Sequence, residues 1–178
     1  YRSSKSREMV LELLVTDQPV KNISHDPNSH FWNMAEKVNV DKSRFDRKQV
    51  SEIPSSDNSN KAMAVNLDAC IHCNLCVRAC REVQVNDVIG MGMRGNTSKV
   101  IFDFDDPMGD STCVSCGECV QACPTGALME SNLLDENGKN KGKHDREVDS
   151  LCPYCGVGCQ LTFKIKDEKI ISADGRDG

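Results

Sequence analysis

Cys70-Ile71-His72-Cys73-Asn74-Leu75-Cys76-Val77-Arg78-Ala79-Cys80 decides how this chain is read, because its spacing returns at Cys113-Val114-Ser115-Cys116-Gly117-Glu118-Cys119-Val120-Gln121-Ala122-Cys123. Both stretches are Cys-x-x-Cys-x-x-Cys-x-x-x-Cys, and they lie 43 positions apart. A third, shorter run, Cys152-Pro153-Tyr154-Cys155-Gly156-Val157-Gly158-Cys159, has a gap of two residues and then one of three. The three runs hold all 11 cysteines of the 178-residue sequence.

Disulfides, zinc and iron–sulfur clusters all use clustered cysteine. An odd count in tight Cys-x-x-Cys runs, with no secretory signal visible, argues against disulfides. Structural zinc usually takes its four ligands as two separated pairs, unlike the first two runs. Those runs follow the bacterial ferredoxin pattern for [4Fe–4S] ligation, and Pro124 stands where that pattern ends in proline. Arg81 takes the proline's place after the first run. For the third run zinc stays open, since three cysteines and one outside ligand would also satisfy it.

The composition fits small metal-supported units. Hydrophobic residues make up 38% and aromatic residues 4%, thin for one large packed core, and metal sites substitute for missing core in small domains. A net charge of −5, with Lys and Arg scattered, offers no surface for nucleic acid. No apolar stretch approaches the roughly 18–20 residues of a membrane span. The sequence starts at Tyr1 rather than methionine, so a missing N-terminus is expected.

Along the chain, Met9, Val10, Leu13 and Leu14 predict a helix over 4–17 that ends before Pro19. A short helix is expected through Phe31, Trp32, Met34 and Ala35, and linker composition over 46–60. The spacing places β-like segments at 88–93 and 99–104, read as a hairpin inserted between two ferredoxin half-modules. The charged stretch 135–149 reads as a second linker, and residues 161–165 and 170–173 as a further hairpin. The domain reading is therefore an N-terminal helix and polar connection over 1–62, a two-cluster domain over 63–134, the linker 135–149, and a further domain begun at 150–178. The fold class expected is α+β.

Around the ligands, Ile71, Leu75, Val77, Val114 and Val120 are expected to keep water from sulfur. Gly117 and Gly126 are expected to permit close backbone approach. Arg78 and Arg81 are read as a solvated helix face or as cations that raise a cluster's potential. His72 is expected at the surface. Asp103, Asp105, Asp106 and Asp110 read as a solvated hairpin end or a partner contact.

Two-cluster ferredoxins pass the fourth cysteine of each run to the other cluster. That resemblance implies one cluster on Cys70, Cys73, Cys76 and Cys123, and another on Cys80, Cys113, Cys116 and Cys119. The third run resembles the start of the large subunit of molybdenum or tungsten bis-molybdopterin-guanine-dinucleotide oxidoreductases. There a fourth cysteine follows after a longer gap. Cys152, Cys155 and Cys159 would then form a partial [4Fe–4S] site, its last ligand beyond residue 178. A truncated chain is the expectation.

The order of modules resembles the α-subunit of cytoplasmic NAD-dependent formate dehydrogenase, as do the residues 71–84 and Pro107-Met108-Gly109-Asp110-Ser111-Thr112-Cys113. The resemblance implies an oxidoreductase in which formate is oxidised at a Mo or W pterin centre and electrons pass along [4Fe–4S] clusters to a flavin- and NAD-binding diaphorase-type subunit. It implies a cytoplasmic location and no catalytic residue within this segment. Other molybdopterin oxidoreductases such as nitrate reductase, a stand-alone ferredoxin-type carrier and a zinc-stabilised interaction module are the alternatives. Relatives usually carry a [2Fe–2S] domain upstream. Many also have a His-plus-three-Cys cluster in the region matching 17–45. Here His25 and His30 have no cysteine near them in sequence and read as loop residues.

Overall fold

The computed structural model describes residues 2–47 and 54–176. The chain divides into two compact units, Tyr1–Lys139 and Asn140–Gly178. No helix among the described residues is long and apolar enough to cross a membrane.

The first unit opens with α1 (Arg2–Thr16) and α2 (His30–Lys37). The expected stripe on α1 is displaced. Leu11, Leu14 and Val15 face the interior, while Met9, Val10 and Leu13 are exposed. Positions 11, 14 and 15 have the same i, i+3, i+4 spacing as 10, 13 and 14, so spacing alone does not choose between the two stripes, and the buried one lies one residue further along. In α2, Ser29 caps the start by accepting the Trp32 N–H, and Phe31, Trp32 and Ala35 are buried. Phe31 and Trp32 meet edge to face with ring centroids 5.4 Å apart. With Val15 they form a small apolar cluster against which Ile71 packs.

The expected linker 46–60 is partly structured, its residues 48–53 lying outside those described. Asp57 bridges Val65 through backbone hydrogen bonds, and its carboxylate accepts the Met108 N–H at 2.7 Å. These residues thus belong to the packed unit.

The repeat itself is closed by β1 (Met63–Val65) and β4 (Leu128–Glu130), antiparallel with Ala64 opposite Met129. The two strands flank the first and second cysteine runs, so their pairing brings the ends of the repeat together. Between them come α3 (Leu75–Arg78), a wide helical turn at Ala79–Val83, β2 (Ile89–Gly92), β3 (Lys99–Phe102) and α4 (Glu118–Ala122). β2 and β3 pair antiparallel, Ile89 opposite Phe102. The main core joins Met63, Val65, Val77, Val88, Ile89, Val100, Phe102, Met108 and Leu128 to three cysteines, Cys76, Cys80 and Cys119. Sulfur is part of the core, which is how so few large apolar residues suffice.

The second unit is a three-stranded antiparallel sheet of β5 (Arg146–Leu151), β6 (Gln160–Lys166) and β7 (Lys169–Gly175), in that order. The expected hairpin is β6–β7. β5 is an addition, and it starts inside the stretch expected to be linker. Arg146-Glu147-Val148-Asp149-Ser150-Leu151 buries no residue, so side-chain alternation carries no signal there; its register with β6 makes it a strand.

Candidate metal centres

The two cysteine runs fold alike, residue for residue. His72 and Ser115 take left-handed backbone, φ 54° and 55°, and their N–H groups reach Cys70 Sγ and Cys113 Sγ, each at 3.4 Å. Asn74 and Gly117 are also left-handed, and each starts the short helix that follows, α3 or α4. The first three cysteines of each run therefore sit on a loop that doubles back before a helix begins. His72 contributes backbone geometry, and its side chain lies at the surface as expected.

The fourth cysteine of each run departs from its own loop. Cys80 is buried inside the wide turn Ala79–Val83, closed by Gln84 N–H to Ala79 O at 3.0 Å. Cys123 ends α4, its sulfur 3.7 Å from the buried Thr125 hydroxyl. A cavity is lined by Cys70, Cys73, Cys76 and Cys123, with Leu67, Ile71, Val100, Pro124 and Leu128 around them. The first run thus shares a cavity with the last cysteine of the second.

The buried sulfurs feel cysteines of both runs. Burial pushes the Cys76 thiol up to about 12, and the sulfurs of Cys70, Cys123 and Cys73 add to the rise. Cys119 is also pushed up to about 12, by burial first and then by Cys113, Cys76, Cys116 and Cys80. Thiolates crowded into an apolar site repel one another and lack water, so the buried Cys76 and Cys119 hold their protons as bare thiols. Iron reverses both effects by supplying positive charge at the sulfurs. The donor set suits an iron–sulfur cluster: soft thiols facing one apolar cavity, joined by no disulfide.

Neighbouring charges serve structure. Arg78 pairs with Glu82 at 3.0 Å and Arg81 with Asp87 at 2.7 Å, so each cation is matched by a carboxylate instead of facing a cluster. Asp103 is more than a solvated hairpin end: its carboxylate accepts the Thr112 N–H at 2.7 Å. Gly117 meets nothing where a Cβ would stand, so its positive φ of 84°, and not close approach, calls for glycine. Gly126 has both reasons, φ 83° and Asp26 Cβ 2.8 Å from the added carbon.

The third run is the loop of a hairpin. Leu151 and Gln160 pair at the ends of β5 and β6, and Cys152 N–H bonds Cys159 O at 2.8 Å just beyond them. Cys152 is half-buried, whereas Cys155 and Cys159 are exposed on a tip turned by Gly156 and Gly158, both at φ 79°. Three thiols are gathered on one loop.

Two residues near the first run were not legible as site residues. Gln18 is buried, and its amide donates to Ala69 O at 2.9 Å. His25 lies between the Gly138 carbonyl, 2.6 Å from Nδ1, and Asp68, 3.4 Å from Nε2. The contact with Asp68 is an ion pair rather than a well-aligned hydrogen bond. Both residues read as loop polar groups because their partners are distant in sequence.

With this geometry in place, comparison with known proteins is informative. Residues 69–127 match the family model of the 4Fe-4S dicluster domain, and residues 145–177 that of the molybdopterin oxidoreductase Fe4S4 domain. The chain carries both iron–sulfur domains. Among curated proteins it is 28% identical to "Putative formate dehydrogenase SH0748" of Staphylococcus haemolyticus (strain JCSC1435), over 58% of this chain and 14% of that protein. It is also 28% identical to "Putative formate dehydrogenase SAUSA300_2258" of Staphylococcus aureus (strain USA300), over 57% of this chain and 14% of that one. The chain thus spans about a seventh of the length of the curated relatives it matches. In fold it is similar to a chain of an NAD+-reducing [NiFe]-hydrogenase crystallised in the H2-reduced state. That likeness has a TM-score of 0.59 and 23% identity, covering 72% of this chain and 55% of the other.

Proposed function

We propose that this chain is the electron-transfer portion of a formate dehydrogenase α-subunit, relaying electrons from formate oxidation at a Mo or W bis-molybdopterin-guanine-dinucleotide centre toward an NAD-reducing, flavin-bearing partner. Cys70, Cys73, Cys76 and Cys123 hold one [4Fe–4S] cluster, and Cys80, Cys113, Cys116 and Cys119 a second. Cys152, Cys155 and Cys159 supply three ligands of a third. The domain boundaries we assign are 63–134 for the two-cluster domain and 145–178 for the start of the molybdopterin-type domain, which begins ahead of β5 and shortens the expected linker to 135–144.

The observation that carries the ligand assignment is the cavity in which Cys123 joins Cys70, Cys73 and Cys76. When bound, each cluster supplies one-electron redox chemistry at a centre whose potential the protein sets. This chain's part is to hold and shield. The left-handed residues His72, Asn74, Ser115 and Gly117 shape the loops. The N–H groups of His72 and Ser115 point at sulfur, which stabilises the added negative charge of a reduced cluster. Leu67, Val100 and Leu128 keep water from the first cavity. The module order and the formate dehydrogenase relatives support the formate reading. The shared fold with an NAD+-reducing enzyme is in keeping with the NAD-linked partner.

Iron and acid-labile sulfide analysis of anaerobically purified protein tests the cofactor class. Two complete clusters require at least eight of each per chain. Stoichiometric zinc without sulfide would sink the reading.

A further inference from the structure

The two cysteine runs share their loop backbone around the first three ligands, yet four matched positions near the ligands differ in what covers them. Ala69, which precedes Cys70, is fully buried, and its carbonyl accepts the Gln18 amide. Its counterpart Thr112, which precedes Cys113, is exposed, and its carbonyl accepts only the longer, solvent-facing bond from the Asn86 amide at 3.4 Å. Ile71 packs into the cluster of Val15, Phe31, Trp32 and Ala35, whereas its counterpart Val114 is 59% exposed. Pro124, which follows Cys123, has its carbonyl taken by the Phe31 N–H at 2.8 Å, whereas its counterpart Arg81 is exposed. Gly126 lies against Asp26, whereas its counterpart Val83 is 66% exposed.

Ala69, Ile71, Pro124 and Gly126 all flank ligands of the Cys70 site. Thr112, Val114, Arg81 and Val83 all flank ligands of the Cys113 site. Every covering group comes from one segment, residues 15–35, which lies outside the repeat. The stretch holds the loop by its backbone at both edges, through Gln18 on one side and Phe31 on the other. Both carbonyls belong to residues covalently next to a ligand, so the grip acts on the cysteines directly.

We propose that residues 15–35 are an insulating cover that makes two near-identical cluster sites inequivalent, with Gln18 the positioning residue that fixes the Cys70 loop beneath it. The proposal rests on the cluster assignment above and adds to it. Reduction adds negative charge to a cluster, and burial away from water opposes that charge. The covered Cys70 site therefore has the lower potential of the pair, and the Cys113 site, open at Val114 and Arg81, the higher. Electrons settle on the open cluster.

Potentiometric EPR titration of the holoprotein tests this, with signals assigned to sites by Cys73→Ser and Cys116→Ser variants. Gln18→Met keeps the side chain's length and removes its donor. The expected result is a positive shift of the Cys70-site potential with the Cys113 site unmoved. A matched pair serves if that variant folds poorly: Ile71→Ser shifts its own site upward, and Val114→Ser leaves its site almost unchanged. Equal shifts at both sites, or none at either in variants that keep both clusters, overturn the cover. A wild-type protein with no iron–sulfur signal would instead overturn the cluster assignment, and the cover with it.

Discussion

The Asp103 carboxylate accepts the Thr112 backbone N–H at 2.7 Å and the Thr112 hydroxyl at 3.0 Å, so the residue after β3 anchors the residue before Cys113. The Thr112 carbonyl in turn accepts the Asn86 amide at 3.4 Å, the open site's counterpart of the Gln18–Ala69 bond. Asp103→Ala removes both carboxylate bonds and leaves the Cys113 loop with the weaker ties from Asn86 to the Thr112 carbonyl and from Asn60 to the Ser115 hydroxyl. For a partly exposed pair the expected loss is about 1 kcal/mol in denaturant titration of the holoprotein. Iron should also leave the Cys113 site faster than the Cys70 site in the presence of chelator. Unchanged release from both sites would show that the carboxylate does not anchor the loop.

The two glycines beside the clusters predict different costs. Gly117→Ala meets only the penalty of positive φ, about 1–2 kcal/mol. Gly126→Ala meets that penalty and a Cβ 2.8 Å from Asp26, which belongs to the segment covering the Cys70 site. The second variant should be the less stable of the two by thermal unfolding. If the order is reversed, Asp26 does not lie tightly against Gly126.

Removing the metal exposes the thiol chemistry. With their thiols pushed up to about 12, Cys76 and Cys119 hold on the order of one thiolate in 10⁴ at pH 8. In apoprotein that keeps its fold, alkylation followed by mass spectrometry should label the exposed Cys73 and Cys116 first and Cys76 and Cys119 last. Early labelling of Cys76 would mean that the core opens when iron is lost.

His25 gives the first unit a pH dependence. The Asp68 carboxylate beside it holds its pKa above the ordinary 6.5; half-burial opposes the rise, the Gly138 carbonyl adds to it, and Lys139 subtracts. A folded-state pKa raised in this way stabilises the protonated form. The contribution is complete below the unfolded value near 6.5 and fades as pH climbs through the higher folded value. The stability gap between wild type and His25→Gln should therefore shrink from pH 6 to pH 8.5 in urea titrations. A gap that widens over that range would contradict the ion pair.

Much of this was legible in the chain itself. The cysteine spacings mark the ligands we propose, and Phe31, Trp32 and Ala35 mark α2, because both signals are local. What was not legible depends on distance. Gln18 and Ala69 are 51 positions apart, and nothing around Gln18 marks it as buried. Residues 18–62 look polar and irregular, yet they include the cover over one site, since their buried groups are spread among turns without a period. β5 was missed for a related reason: its strand is made by backbone pairing with β6, and its side chains bury nothing.

The central claim is that each run gives its fourth cysteine to the other run's cluster. EPR and iron counting on Cys80→Ala and Cys123→Ala test it most directly. The structure predicts that Cys80→Ala damages the cluster of Cys113, Cys116 and Cys119, and that Cys123→Ala damages that of Cys70, Cys73 and Cys76. Selective loss of the Cys70 signal in Cys80→Ala would contradict the crossed assignment.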